Sequence, residues 1–117
     1  MSLTNKWITM AHKNDLVPYR IIPIECPDGY SVSIQAGEYL YSNPRLDYVD
    51  GMVYEAVELG YPSREDELLK GYAEDPDNPT DTVYGYTPVS VVDEVLAKHG
   101  LTEEELKAYI IKKKLEQ

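Results

Sequence analysis

The chain has 117 residues and a formal net charge of −10 at pH 7, and 43% of its residues are hydrophobic. This length suits one domain with a modest core, and no apolar run approaches the roughly 18 residues that a membrane span needs. The first residues show no signal-peptide pattern, and the single cysteine cannot form an internal disulfide. We therefore expect a cytoplasmic protein that does not contact a membrane.

The N-terminal part of the sequence predicts an arm followed by a β-hairpin. Residues 1–18 show no steady hydrophobic period and end at a proline, so we expect a partly ordered arm there. The isoleucines of residues 19–26 predict a strand, and Pro23 places it at a sheet edge because proline donates no ladder hydrogen bond. The proline, aspartate and glycine at 27–29 predict a turn, and the alternation of residues 30–36 predicts the second strand.

The middle of the chain predicts further strands and one short helix. Residues 38–41 resume the alternation weakly, and residues 52–59 are rich in the β-branched and aromatic side chains typical of a strand. Ser63, with an acid three residues later, predicts the cap of a short helix that ends at Gly71. After an acidic loop, residues 82–87 predict the last strand.

Two helices are predicted after that strand. Valine and leucine recur at helical spacing in residues 91–96, and this helix begins either at residues 87–88 or at residues 90–93. Thr102 and the glutamates that follow it form a capping box for the last helix. Three lysines at residues 112–114 suit the negative end of that helix.

These elements predict one fold class. We expect an α+β fold with a small antiparallel sheet of three to four strands, connected as a meander. A short middle helix and two C-terminal helices are expected to pack on this sheet. The arm at residues 1–18 would then precede a single α+β domain at residues 19–117.

The acidic residues concentrate in the middle of the chain. Residues 21–82 carry fourteen acids and three bases, and this excess repels phosphate groups, so we expect no direct binding of nucleic acid. The excess suits a basic partner, and it also suits solubility alone. The candidate binding carboxylates lie in the acidic loop: Glu74, Asp75, Asp77 and Asp81.

The aromatic content is unusual, with eleven tyrosines, one tryptophan and no phenylalanine. Exposed tyrosine is enriched at protein interfaces, although tyrosine also fits an ordinary half-buried sheet surface. The candidate binding tyrosines lie on or beside the predicted strands: Tyr39, Tyr41, Tyr54, Tyr84 and Tyr86.

The sequence contains few groups suited to catalysis. Cys26 is the one candidate nucleophile, and the charge of the neighbouring Glu25 raises the pKa of a thiol rather than lowering it. His12 lies in the predicted arm, and capping of a helix end alone explains His99. Two histidines without a third ligand are a weak argument for a zinc site. We therefore expect no catalytic residue and no cofactor.

The acidic loop superficially suggests a calcium site. When Asp75 is counted as the first position of a calcium-binding loop, Thr80 replaces the glycine that the sixth position requires. Tyr86 replaces the glutamate required at the twelfth position. We therefore expect no metal site.

Three stretches carry a resemblance: SIQAGEYLYSNPR, YEAVELGYPS and AEDPDNPTDTVYGYTPVSVVDEVLAKHG. Together they resemble small uncharacterised proteins encoded in phages and prophages, over residues 31–100. The resemblance implies no activity and no site residue.

Three functional hypotheses follow. The first is a non-enzymatic accessory or regulatory protein that binds another protein through its tyrosine-rich or acidic surface. The second is an acidic inhibitor or immunity-type protein that competes with nucleic acid for a basic partner. The third is a small hydrolase that uses carboxylates in a cleft hidden from the sequence.

Self-association is also predicted. The last helix presents Leu106, Tyr109, Ile110 and Ile111 over a wider arc than one small sheet is expected to cover. The edge strand containing Pro23 is a further surface that pairing would protect. We therefore expect a two-fold homodimer, since this is the commonest closed assembly.

Overall fold

The computed structural model describes residues 2–16 and 22–116. Its regular elements, in chain order, are helix α1 (Leu3–Lys13), strands β1 (Ile24–Glu25), β2 (Ser31–Gln35) and β3 (Ala56–Gly60), a 3₁₀ helix (Glu67–Tyr72), strand β4 (Val83–Pro88), and helices α2 (Val89–Lys98) and α3 (Glu103–Leu115).

The four strands form one antiparallel sheet in the order β1-β2-β3-β4. Ile24 pairs with Val32 in the first hairpin, and Ile34 pairs with Leu59 in the next ladder. Helix α2 packs against β4, and α3 packs against α1. The predicted α+β meander with a short middle helix and two C-terminal helices is therefore confirmed.

The first hairpin turn has the predicted residues and a defined geometry. Gly29 has a φ of 92°, which a side chain would strain, and its amide donates to the carbonyl of Cys26 at 2.9 Å. Asp28 Oδ1 accepts from the amide of Tyr30 at 2.9 Å. The turn thus fixes Asp28 beside the start of β2. The part of the predicted first strand at residues 19–21 lies outside the described residues.

The core lies between the sheet and the helices. Trp7 is 1% exposed and packs against Tyr109 of α3, with 6.0 Å between ring centroids. The largest fully buried side chains come from every part of the described chain: Trp7, Leu16, Ile24, Tyr30, Tyr54, Leu59, Leu69, Tyr84, Leu96 and Leu106.

Helix α1 lies where the sequence predicts a partly ordered arm. Ser2 caps it by accepting from the amide of Asn5 at 3.2 Å. Thr4 donates its backbone N–H and its hydroxyl to Asp93 Oδ1 on α2, at 2.9 and 2.7 Å. Polar residues thus occupy part of the buried face of this helix, so its hydrophobic residues do not recur at a regular helical spacing.

Three predicted element boundaries are corrected. Residues 38–41 form a turn and not a strand, because the amide of Leu40 donates back to the carbonyl of Gly37. The third strand begins at Ala56 and not at residue 52, because the amide of Tyr54 donates to Asn5 Oδ1 on α1. In the short helix, Asp66 replaces Ser63 as the cap.

The two C-terminal helices have the predicted ends. The hydroxyl of Thr102 accepts from the amide of Glu105, and Gly100 adopts a φ of 89° between the helices. Leu106, Tyr109 and Ile110 are buried against the rest of the chain.

Within residues 2–16 and 22–116, no helix is long and apolar enough to cross a membrane.

Candidate functional site

A partly buried ionic cluster surrounds His99 at the end of α2. His99 Nδ1 lies 2.6 Å from Asp28 Oδ2, and Nε2 lies 3.1 Å from Asp66 Oδ2. Lys98 Nζ lies 3.0 Å from Asp66 Oδ1 and 2.9 Å from Oδ2. The ring of Tyr30 stacks on His99 with 3.9 Å between centroids and 5° between planes. We call these residues the histidine cluster: Asp28, Tyr30, Asp66, Lys98 and His99.

Three elements position the histidine cluster. The hairpin turn supplies Asp28, the 3₁₀ helix is capped by Asp66, and α2 ends at His99. Asp66 has a side chain only 1% exposed, and its Oδ1 also accepts from the amide of Leu68 at 2.9 Å. The cluster therefore ties together parts of the chain that are far apart in sequence.

Both carboxyl groups of the cluster are held in the charged form. Burial raises the pKa of Asp66, but hydrogen bonds from Lys98, the Leu68 amide and His99 outweigh it and leave the pKa below its ordinary value. The hydrogen bond from His99 is the largest of the influences that lower the pKa of Asp28. Ionised carboxylates only accept hydrogen bonds, so a ring nitrogen of His99 that carries a proton donates to the carboxylate that it faces.

The chemistry of the histidine cluster is that of a structural tie. A general base needs a ring nitrogen with a free lone pair, and both nitrogens of His99 face carboxylate oxygens. Both ring nitrogens are therefore occupied by contacts within the chain, and neither faces an open site. Sequence reasoning missed the cluster because residues 28, 66 and 99 meet only after the chain has folded.

The candidate nucleophile lies beside this cluster in an unreactive form. Cys26 is 6% exposed, and burial, followed by the charge of Asp28, raises its pKa to about 11. The predicted upward direction holds, but burial and Asp28 cause it rather than Glu25. The other histidine, His12, stacks on Tyr48, and burial lowers its pKa.

A second cluster is exposed and aromatic. The rings of Tyr41 and Tyr86 lie 5.6 Å apart with a 35° tilt, and their side chains are 45% and 50% exposed. The guanidinium of Arg45 lies over the Tyr41 ring, 5.3 Å from its centroid. We call these three residues the tyrosine platform. Arg45 was not a sequence candidate, since no local pattern of this irregular segment places it over the Tyr41 ring.

A β-bulge builds this platform. Val57 pairs with Thr87 and Leu59 pairs with Tyr84, so Glu58 alone lies opposite the two residues that separate Thr87 from Tyr84. Tyr86, one of those two, has a φ of 50°, and its amide donates to the carbonyl of Tyr41 at 2.9 Å.

Glycine at the other bulge position lets the Tyr41 ring approach the strand. A Cβ on Gly85 would lie 3.1 Å from Cβ of Tyr41 and 3.3 Å from Cδ2. The amide of Tyr41 also donates to Glu58 Oε1 at 3.2 Å. Tyr41 therefore rests on the backbone of β4, with a carboxylate of β3 beside it.

The structure divides the predicted binding tyrosines into two groups. Tyr39 is 86% exposed, and Tyr41 and Tyr86 belong to the platform. Tyr54 and Tyr84 are corrected to core residues, at 1% and 2% exposure. The hydroxyls of these two tyrosines have backbone partners, because Tyr54 donates to the carbonyl of Leu46 and Tyr84 donates to that of Pro79. The predicted surface therefore has three of its five tyrosines.

The four predicted binding acids are exposed on the loop before β4. Asp75 organises this loop, since Oδ1 accepts from the amide of Asp77 and Oδ2 accepts from the side chain of Asn78. Glu74 joins the loop to β4 through its amide, which donates to the carbonyl of Val83. Among residues 2–16 and 22–116, no group of three or more histidines, cysteines or acids is arranged to hold a metal ion.

Comparisons with protein families, with curated proteins and with solved structures found no match to this chain. The phage-type resemblance of residues 31–100 therefore stays a prediction.

Proposed function

We propose that this protein is a non-enzymatic binding module, and that the tyrosine platform is the surface that engages its protein partner. The observation that carries this proposal is the backbone of Tyr86. A tyrosine with a φ of 50° is strained relative to glycine, yet here it places a half-exposed ring beside a second tyrosine. The bulge also buries Tyr84 in the core, but the half-exposed ring of Tyr86 adds little to that burial.

The composition of the platform supports a protein partner. Tyrosine is enriched at binding hot spots, because it supplies a large contact area together with a polar group. Tyr39 adds a third exposed ring two residues from Tyr41. Exposed tyrosines therefore recur beside one bulged edge strand, with Tyr86 on β4 and the other two in the loop between β2 and β3.

The nucleic-acid competitor has less support. A phosphate mimic needs acids that are free to face a basic partner. Several acids of this chain instead have internal partners: Asp28 and Asp66 bind His99, Asp93 binds Thr4, and Glu103 binds Lys6. This use of carboxylates favours a binding module with an aromatic centre.

Comparative capture tests the proposal. The immobilised full chain is incubated with lysate of the organism that encodes it, and the bound proteins are quantified by mass spectrometry. The variants are Tyr41→Ala with Tyr86→Ala, and Tyr61→Ala as the control. Tyr61 suits this control because it is 55% exposed, has a φ of 50°, and lies at the far end of the β3–β4 pair.

We expect the native chain and the Tyr61 variant to retain the same protein, and the double variant to lose it. Urea unfolding verifies that all three chains are folded at the capture temperature. Equal capture by the double variant would contradict the proposal, and so would the absence of any captured protein.

A two-fold homodimer is a second proposal. Most of the apolar arc that motivates it is covered within the chain, but Ile111 and Leu115 of α3 are 61% and 81% exposed and lie one helical turn apart. Pairing of two copies would cover them. Light scattering across a dilution series tests this, and a mass that stays near 13.3 kDa at high concentration would contradict it.

A further inference from the structure

The tyrosine platform already holds one cation. The guanidinium of Arg45 lies 5.3 Å from the centroid of the Tyr41 ring, and Tyr41 also lies against Gly85 of β4. A planar guanidinium stacks on an aromatic face and also donates hydrogen bonds from its edge. The contact therefore displays, within the chain, the kind of group that this ring accommodates.

A second ring, that of Tyr86, lies beside the first, and within residues 2–16 and 22–116 no cation lies over it. Tyr86 is tilted by 35° from Tyr41 and is 50% exposed. Two tilted tyrosine rings at 5.6 Å form an aromatic corner. Such a corner offers contact to a flat cation on more than one side.

A carboxylate lies at this corner, in a chain whose formal net charge is −10. Glu58 lies at the bulge itself, with Oε1 3.2 Å from the amide of Tyr41. A cationic ligand is therefore attracted both by the aromatic faces and by the carboxylate.

Resting on the function proposed above, we propose that the occupant of the tyrosine platform is an arginine-bearing basic segment of the partner protein. One of its guanidinium groups stacks in the Tyr41–Tyr86 corner, displaces Arg45 or lies next to it, and pairs with Glu58. Arginine is preferred over lysine because its planar head stacks on a ring and donates in the plane at the same time.

The charge of the site makes a different class of partner unsuitable. Nucleic acid would bring phosphates toward Glu58 and toward a chain with a net charge of −10, and both oppose its approach. An acidic peptide meets the same repulsion. Charge complementarity therefore selects a basic segment.

Titration with defined peptides tests this proposal. The probes are three short peptides of equal length, in which glycine alternates with arginine, lysine or neutral citrulline. Binding is followed by NMR, using the amide signals of the full chain. The variants are Arg45→Ala, Tyr86→Ala and Glu58→Gln, with Tyr61→Ala as the matched control.

We expect the arginine peptide to shift the signals of residues 41, 45, 58 and 86, and to bind several-fold more tightly than the lysine peptide. The citrulline peptide should not bind measurably. Arg45→Ala should tighten binding on the order of threefold, because it frees a ring face and removes a positive charge. Tyr86→Ala and Glu58→Gln should each weaken binding by a similar factor, while Tyr61→Ala leaves it unchanged.

Equal binding of the arginine and lysine peptides would overturn the proposal, as would shifts confined to the acidic loop at residues 74–81 or weaker binding by Arg45→Ala. Failure here is distinguishable from failure of the proposed function. If the double tyrosine variant loses its captured protein but arginine peptides do not bind, the binding module stands and only the arginine-bearing occupant is wrong.

Discussion

The histidine cluster and the tyrosine platform are built from the same kinds of groups, yet they differ in what is left to interact. Each combines an aromatic ring with a cation and carboxylates. In the histidine cluster both nitrogens of His99 and both oxygens of Asp66 have partners inside the chain, and the Asp66 side chain is 1% exposed. In the platform the rings are about half exposed, and one of them belongs to a residue with a strained, positive φ.

This difference separates stability from binding. Groups whose hydrogen bonds are all satisfied within the protein stabilise it and have little left to offer a ligand. Exposed rings on a strained bulge add little to the core and retain their contact surface. We therefore expect substitutions in the histidine cluster to change the free energy of unfolding, and substitutions in the platform to change binding.

The largest effect is expected for Asp66→Ala. The substitution removes a buried acceptor of the Leu68 amide, Lys98 and His99, and should lower the free energy of unfolding by about 3 kcal/mol. Urea unfolding followed by circular dichroism measures it. Asp77→Ala, an exposed acid of the loop, is the control and should change stability by less than about 0.5 kcal/mol. Similar losses of stability for both variants would show that the histidine cluster does not contribute more to stability than an exposed acid does.

His99→Ala should lower the free energy of unfolding by about 2 kcal/mol, because it removes the contacts of the ring nitrogens with the Asp28 and Asp66 carboxylates and the stack on Tyr30. His99→Phe separates these contributions in the same urea experiment. Phenylalanine keeps a ring against Tyr30 but cannot donate to Asp28 or Asp66. Recovery of native stability by phenylalanine would mean that stacking alone matters at this position.

Acidification should lower the free energy of unfolding gradually, and by less than Asp66→Ala does. The pKa values of Asp66 and Asp28 are lowered in the folded chain, so on acidification the unfolded chain binds protons first. Their contribution is therefore complete above the ordinary carboxyl pKa of about 4 and is lost as the pH falls below it. Urea unfolding between about pH 5 and pH 2 should give a shallower pH dependence for Asp66→Asn than for the native chain. Equal slopes would contradict the assignment.

The smallest effect concerns the strained residue of the platform. Tyr86→Gly should be more stable than Tyr86→Ala by about 1 kcal/mol, because alanine at a φ of 50° retains the strain that glycine does not have. Both variants lack the tyrosine side chain, so their difference in stability reports the backbone strain at residue 86. Thermal unfolding of the pair measures it. A more stable alanine variant would mean that the left-handed backbone is not strained.

Much of the fold could be predicted because local chemistry fixes it. The turn at Asp28 and Gly29, the alternation of β2 and the Thr102 cap each act within a few residues. Helix α1 was missed because part of its buried face is polar. Thr4 finds its partner Asp93 at a distance of 89 residues along the chain, and no local pattern shows such a pair.

The candidate site was predicted only in part, because some of its contacts depend on residues that are far apart in sequence. Exposed tyrosines could be anticipated from composition, but the bulge that brings Tyr86 to Tyr41 depends on the register between β3 and β4. The same register buries Tyr84 while it exposes Tyr86, two residues later on the same strand. Simple alternation would put both rings on one face, and the extra residue of the bulge reverses that.

Site-specific photocrosslinking tests the central claim most directly. A photoreactive phenylalanine analogue is placed, one position at a time, at residues 41, 61, 77 and 86 of the full chain, and each chain is irradiated in the cell that encodes it. We expect adducts with one protein from positions 41 and 86, with none from position 61 on the far end of the β3–β4 pair or position 77 in the acidic loop. Adducts that form from position 77 or 61, while positions 41 and 86 stay unmodified, would contradict the assignment of the tyrosine platform as the binding surface.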